Sequence, residues 1–334
     1  MLRTASLFAV LLAVAGCDAL GGDPDASAAG LFPAVQNGDR VLIDRTGRVV
    51  VTLDEYNSVR PGREGLTPAR RRTDGRNVWD YFDDGGEVAF SVEADEAYAP
   101  SQGRARVRID GRWAFVDTDG RFIINPYLRD AGDFSEGRAR VRTTGNDWGF
   151  LDRSGAVVVE PSFRQLGPLR DGRARFERDG AWGYVGADGA VVIEATYDDA
   201  RDFADGRAAV LQGQRWFYVD RDDGRPLGAT TFLSAGDYGD GLAPVRTDGA
   251  WEYVGTSGDR RIDPQFDEAR AFVDDRAAVR IGDLWTFARP DGSLLGAPRF
   301  DAVDDFAGGL ARVTVGEAQG YIDRDGADVW FPRD

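Results

Sequence analysis

The sequence predicts an all-β chain built as a tandem array of nine antiparallel three-stranded units of about 34 residues each. Three observations predict it. Trp recurs at 79, 113, 148, 182, 216, 251 and 285, always 34 or 35 residues apart. Short runs of alternating apolar and polar residues flank each Trp and are separated by Gly-containing turns. Helical periodicity is essentially absent. Gln319 stands where the next Trp would fall and Arg40 heads an earlier, degenerate copy, which completes the nine; Trp330 is out of register and belongs to the tail of the last unit.

The chain begins with a targeting segment. Residues 1–16 join Arg3 to a short apolar run, Ala5 to Ala15, and then to Gly16 and Cys17. That is the pattern of an export signal, and the run is too short to span a bilayer as a stable helix. Val14-Ala15-Gly16-Cys17 resembles the lipobox of bacterial lipoproteins, which implies that Cys17, the only Cys, is diacylated and becomes the new N-terminus. Residues 17–29 then form a short tether to the array at 30–334. With Cys17 acylated, the mature chain has no thiol for redox or metal-thiolate chemistry.

Within a unit, the first strand alternates, as in Ala139 and Val141 against Arg140 and Arg142. An Asp-Gly turn such as Asp179-Gly180 or Asp248-Gly249 leads to the Trp strand, because both residue types tolerate positive φ. Trp182 and Tyr184 share a face of that strand. A second turn, Asp117 to Gly120 or Asp323 to Gly326, leads to a β-branched third strand, and Pro126, Pro161, Pro264 and Pro298 are expected to end its ladder. A unit this small cannot bury its own apolar face, so neighbours must stack, with the indoles filling the gaps. The alternative is a stripe of exposed rings for stacking on sugars. Atypical residues at both ends, Arg40 and Gln319, favour an open, capped solenoid over a closed propeller, which normally has four to eight blades.

Trp148-Gly149-Phe150-Leu151-Asp152 and Trp182-Gly183-Tyr184-Val185, preceded by Glu136-Gly137-Arg138-Ala139 and Asp171-Gly172-Arg173-Ala174 and followed by Glu160-Pro161-Ser162-Phe163, resemble the WG-repeat proteins of bacteria. The resemblance covers about residues 30–334 and implies a β-repeat protein of the cell surface or envelope. The Gly after Trp is kept only at 149 and 183 and, after Gln319, at 320; Asp80, Ala114, Phe217, Glu252 and Thr286 stand there elsewhere.

Composition excludes several kinds of chemistry. The chain has no His and no Lys, so all 41 basic residues are Arg. Ser-His-Asp and Cys-His catalysis, His-ligated zinc, Schiff bases and a P-loop lysine are thereby ruled out. A net charge of −16 argues against nucleic acid and against electrostatic adhesion to an anionic membrane. No cofactor is implied and no metal site is expected; Asp220 to Gly224 comes nearest to a calcium loop but lacks its spacing.

Two sets of residues are candidates for binding. Arg106, Arg108, Arg140, Arg142, Arg175, Arg246, Arg280 and Arg312 alternate along the first strands as an outward ladder, either a solvated face or a track for an anionic polymer. Between Asp54 and Trp79 lies an enlarged basic stretch with Arg60, Arg63, Arg70, Arg71, Arg72 and Arg76, expected as a loop on one face. The functional expectation is a non-enzymatic envelope lipoprotein, held to a membrane by the lipid on Cys17 and presenting a surface to a protein or glycan partner. The other readings are an Asp/Glu-dependent glycan hydrolase or lyase and a structural spacer.

Overall fold

The computed structural model describes residues 30–332, all strand, turn and loop with no helix. Cys17, the signal segment and the whole of the tether lie outside the described residues. The strands form nine small antiparallel sheets, in chain order, with no strand shared between them. Six sheets have four strands rather than the expected three. The added strand is a first, very short one, such as Glu96–Ala97, Gln165–Leu166 or Ser234–Ala235.

The fifth sheet shows the plan: β16 (Gln165–Leu166), β17 (Arg173–Arg178), β18 (Ala181–Gly186) and β19 (Val191–Tyr197) lie side by side in sequence order. The β17–β18 hairpin turns at Asp179 (φ 55°) and Gly180 (φ 82°), the two successive positive values that a two-residue hairpin of this twist requires. Asp248-Gly249 does not follow this geometry, since neither residue has positive φ. The β18–β19 turn, Gly186 to Gly189, replaces the first residue of the Asp-x-x-Gly turn seen at Asp117, whose Oδ1 accepts N–H bonds from Asp119 and Arg121. In Asp220 to Gly224 the same role falls to Asp220, whose Oδ1 accepts the Asp222 N–H while Oδ2 accepts from Arg207.

Three of the four prolines do not end the ladder; at Pro298 no fourth strand forms, and only single bridges at Leu294 and Phe300 remain. The fourth strands run through Pro126, Pro161 and Pro264 as Phe122–Leu128, Val157–Phe163 and Arg260–Phe266. Each carries a bulge there, with Trp148 opposite Phe163 but Phe150 opposite Val159. These strands form an exposed edge, with Val157, Val158 and Val192 open to solvent. Trp148 to Leu151 in the adjacent strand are all buried.

The expectation of an open solenoid is wrong: the array closes on itself as a nine-bladed propeller. Nine blades in an open row have eight interfaces, but nine apolar clusters are present, and each cluster except the ninth joins consecutive blades. The ninth joins Phe32, Val41 and Ile43 of the first blade to Leu310, Tyr321 and Trp330 of the last. There Tyr321 donates to the Pro33 carbonyl at 2.8 Å and its ring meets Phe32 edge-to-face at 5.6 Å. The degenerate first unit is therefore not a cap. Leu31 and Leu42 pack towards the second blade while Phe32, Val41 and Ile43 pack towards the ninth, so both of its faces are apolar and covered.

Candidate binding groove

Most blade boundaries use the same side chains. At five of them the residue two after the Trp meets an aromatic that precedes the next blade's turn. Pro100 and Leu169 take the aromatic's place between blades two and three and between blades four and five. Phe115–Phe134, Tyr184–Phe203, Tyr253–Phe272 and Phe287–Phe306 meet edge-to-face at 4.9, 4.6, 5.0 and 4.8 Å. Where this residue is Tyr, its hydroxyl also donates to a carbonyl of the next blade, as from Tyr184 to Arg201 at 2.7 Å and from Tyr253 to Arg270 at 2.8 Å. Burial raises both phenols well above their ordinary range. The acid of the turn makes a second link. Glu136 accepts the N–H groups of Asp171 and Gly172, Asp171 that of Gly206, and Asp205 that of Gly241.

None of the seven indoles is exposed. Trp79, Trp113 and Trp148 are buried, and Trp182, Trp216, Trp251 and Trp285 are half-buried. Each carries a guanidinium within 6 Å of its ring: Arg60, Arg106, Arg140, Arg175, Arg201, Arg246 and Arg270 in blade order. Most of these arginines also cross to the next blade. Arg106, Arg140 and Arg175 donate to the carbonyls of Ala131, Leu166 and Ala200. Arg106 and Arg175 pair with Asp133 and Asp202 as well. The structure thus places Arg106 and Arg140 inside blade junctions.

The basic stretch is likewise not an enlarged loop. Tyr56–Val59, Thr67–Thr73 and Arg76–Phe82 are three strands of the second blade, because Asp74-Gly75 makes an ordinary hairpin turn between the last two; only residues 60–66 connect irregularly. Arg70 donates to Asn57 and lies over Trp79, Arg71 is paired with buried Asp80, and Arg72 reaches the Gly75 carbonyl. Burial would raise the Asp80 carboxyl, but bonds from Arg71, Ser91 and Tyr56 outweigh it and hold the group below its ordinary range. Tyr56, buried against that carboxylate, is pushed up to about 12. The structure does not bring Arg70 to Arg72 together with Arg106 or Arg140 in one site.

A different place breaks the repeat. Because neighbouring strands are antiparallel, the Arg–Trp hairpins and the links between blades emerge on one face of the ring, and the acid-Gly and Asp-x-x-Gly turns on the other. On the hairpin face, the first residue of four links is an Asp that accepts the N–H of the hairpin Gly: Asp95 for Gly111, Asp198 for Gly213, Asp267 for Gly282 and Asp301 for Gly316. In the fifth blade this residue is Arg164, and Glu177 Oε1 accepts the Gly180 N–H in place of the missing Asp, at 2.6 Å. Arg164 is exposed and makes no hydrogen bond or ion pair with any described residue.

Beside it the hairpin of the fourth blade is longer, Thr143 to Asp147 in place of Asp-Gly, and a groove of about 590 Å³ opens between the two. Arg142, Asn146, Arg164, Gln165, Glu177 and Trp182 line it. Sequence reasoning counted Arg142 and Trp182 within repeating sets and missed the groove. Its signal was there: the series Asp95, Arg129, Arg164, Asp198, Leu233, Asp267, Asp301 reverses charge at two consecutive units.

A family profile described as the WG containing repeat matches residues 81–113, 113–146, 148–180, 182–216, 253–285 and 287–317, more than half of the chain. No curated protein matches it. Among solved structures, a crystal structure of a eukaryotic initiation factor is similar over 91% of this chain and 96% of its own, at 11% identity and a TM-score of 0.59. BamB from Moraxella catarrhalis is similar over 83% of this chain and 96% of its own, at 15% identity and a TM-score of 0.47. At such identities the likeness concerns the fold alone.

Proposed function

The chain belongs to the WG-repeat family, and from that premise we propose that it is a non-enzymatic lipoprotein of the cell envelope whose propeller binds a protein or glycan partner. In this reading the lipid on Cys17 holds the ring at a membrane, and two or more acyl chains make that attachment stable. The observation that carries the proposal is the division of labour among repeated residues. The arginines, acids and aromatics common to the blades are consumed in junctions, whereas the hairpin face between blades four and five keeps an unpaired Arg164 beside a groove with a half-buried indole. A rigid ring with a groove at such a departure suits recognition. Glu177 is the single carboxylate lining that groove, and a glycosidase uses a pair.

The test is cross-linking in intact cells followed by fractionation and capture of the full chain. Cys17→Ser is expected to move the protein from the membrane to the soluble fraction. The wild type is expected to capture envelope protein or glycan that an anchor lacking residues 30–334 does not. If the two capture the same set, the binding role fails; if Cys17→Ser stays with the membrane, the anchor does.

A further inference from the structure

We propose that the groove between blades four and five binds a saccharide bearing a carboxylate group, an inference that rests on the binding role above and names its ligand.

The charge comes first. The protein carries −16 overall, and in four of the blades the link position beside the hairpin is an Asp bonded to a Gly N–H. In the fifth blade the position is reversed to Arg164, and the turn is satisfied from within by Glu177. The substitution therefore leaves no turn donor unbonded and places one uncommitted cation on an acidic surface. Arg142 stands on the other side of the groove. It stacks on Trp148 at 4.3 Å and its Nε is buried, while its terminal nitrogens make no hydrogen bond and only a loose ion pair with Asp130 at 3.9 Å. Two guanidinium groups with free donors suit one carboxylate, since the planar fork matches its geometry.

The rest of the lining identifies what bears that carboxylate. A sugar has hydroxyls that both donate and accept, and a C–H face that packs on an aromatic ring. Trp182 supplies the ring, half-buried because Arg175 covers part of it at 5.4 Å. The Asn146 carbonyl oxygen is bonded to Arg129, which leaves its amide N–H groups to donate. Glu177 uses Oε1 on Gly180, which leaves Oε2 to accept. Gln165 is exposed and offers both functions. An extended peptide would require a long free strand edge for its backbone, and the one edge among the lining residues is the two-residue β16 at Gln165. Arg142 ends Arg138–Arg142, paired on both sides, and Glu177 and Trp182 lie in β17 and β18, also paired on both sides. The volume of about 590 Å³ falls within the roughly 300–1,000 Å³ of small-ligand clefts.

The experiment titrates the detergent-solubilised full chain with a tetramer of galacturonic acid, its carboxyl-reduced neutral counterpart and a hexaglutamate peptide, read by tryptophan fluorescence and calorimetry. Binding of the acidic sugar at least tenfold tighter than of the neutral one is expected. Arg164→Asp introduces the residue found in four other blades, is expected to keep the melting temperature, and is expected to lower affinity for the acidic sugar at least tenfold while leaving the neutral sugar unchanged. Trp182→Phe is expected to weaken both sugars. Equal affinity for the two sugars, an Arg164→Asp variant that binds like the wild type, or hexaglutamate binding tighter than the sugar each overturns the proposal. If neither sugar binds while cross-linking still captures envelope partners, the saccharide assignment fails and the binding role stands. If both experiments fail, both readings fall.

Discussion

A Cβ on Gly149 would sit 2.2 Å from the Val159 carbonyl oxygen and 2.8 Å from the Pro161 nitrogen, and Gly183 is equally crowded by Ile193 and Ala195. The glycine after Trp is therefore set by the bulge of the neighbouring strand, which folds over it. In the third blade the same register jump, Trp113 to Leu128 and Phe115 to Ile124, accommodates Ala114 at the equivalent position, so the outer strand has some freedom to give. Gly149→Ala should thus destabilise by about 1–3 kcal/mol, the ordinary cost of forcing a methyl into packed surroundings. Thermal unfolding measures it, and a melting temperature equal to that of the wild type would show the bulge to be free to move. That this glycine is backbone-driven was half legible: its replacement in most units argued against ligand contact. The bulge itself was hidden, because the prolines read as ladder ends when they sit where an extra residue is accommodated.

At the scale of a blade, the junction arginine comes from either of two adjacent strands. In the fourth and fifth blades Gly132 and Gly167 lie against Arg140 and Arg175. In the sixth and eighth, Arg201 and Arg270 come from the first strand, and Ala209 and Ala278 face them. One guanidinium over the indole is what is kept. Arg140→Ala should cost about 1–3 kcal/mol, from the lost stack on Trp148 and the lost bond to the Leu166 carbonyl. Adding Gly132→Arg should recover most of it, since Arg140 supplies the atoms that crowd Gly132 and alanine removes them. A double variant no more stable than Arg140→Ala would refute the exchange. The same arrangement explains why an outward ladder was misread. Alternation says which residues share a face of a sheet, but a propeller blade has neighbours on both faces, so neither face is the solvent face. Hairpins, unit count and the shared face of Trp182 and Tyr184 are local features, and the sequence carried them; the partner of Arg106 lies 25 residues on, and no local pattern reports it.

For the whole molecule, the decisive quantity is the number of interfaces. An open repeat array that loses its last unit gives up one interface and keeps the rest, so its stability falls by a nearest-neighbour increment. A ring that loses its ninth blade gives up two, and exposes the apolar faces of blades eight and one together: Phe287 and Ala278 on one side, Phe32, Val41 and Ile43 on the other. Closure was invisible in the sequence because it depends on the angle between successive blades, which side-chain packing at the junctions sets, and on a first unit whose apolar Val41-Leu42-Ile43 serves both faces. Ending the chain after Asp301, which keeps Phe300 paired with Trp285, should therefore abolish the single cooperative unfolding transition and drive the protein to associate through the open faces. The far milder Tyr321→Phe, which removes only the hydroxyl bond to Pro33 and leaves the ring against Phe32, should cost about 1–3 kcal/mol because that carbonyl is left without its partner. Calorimetry with light scattering separates the cases. A truncated chain that stays monomeric and melts in one transition within a few degrees of the full chain would mean that the first and last blades do not hold each other.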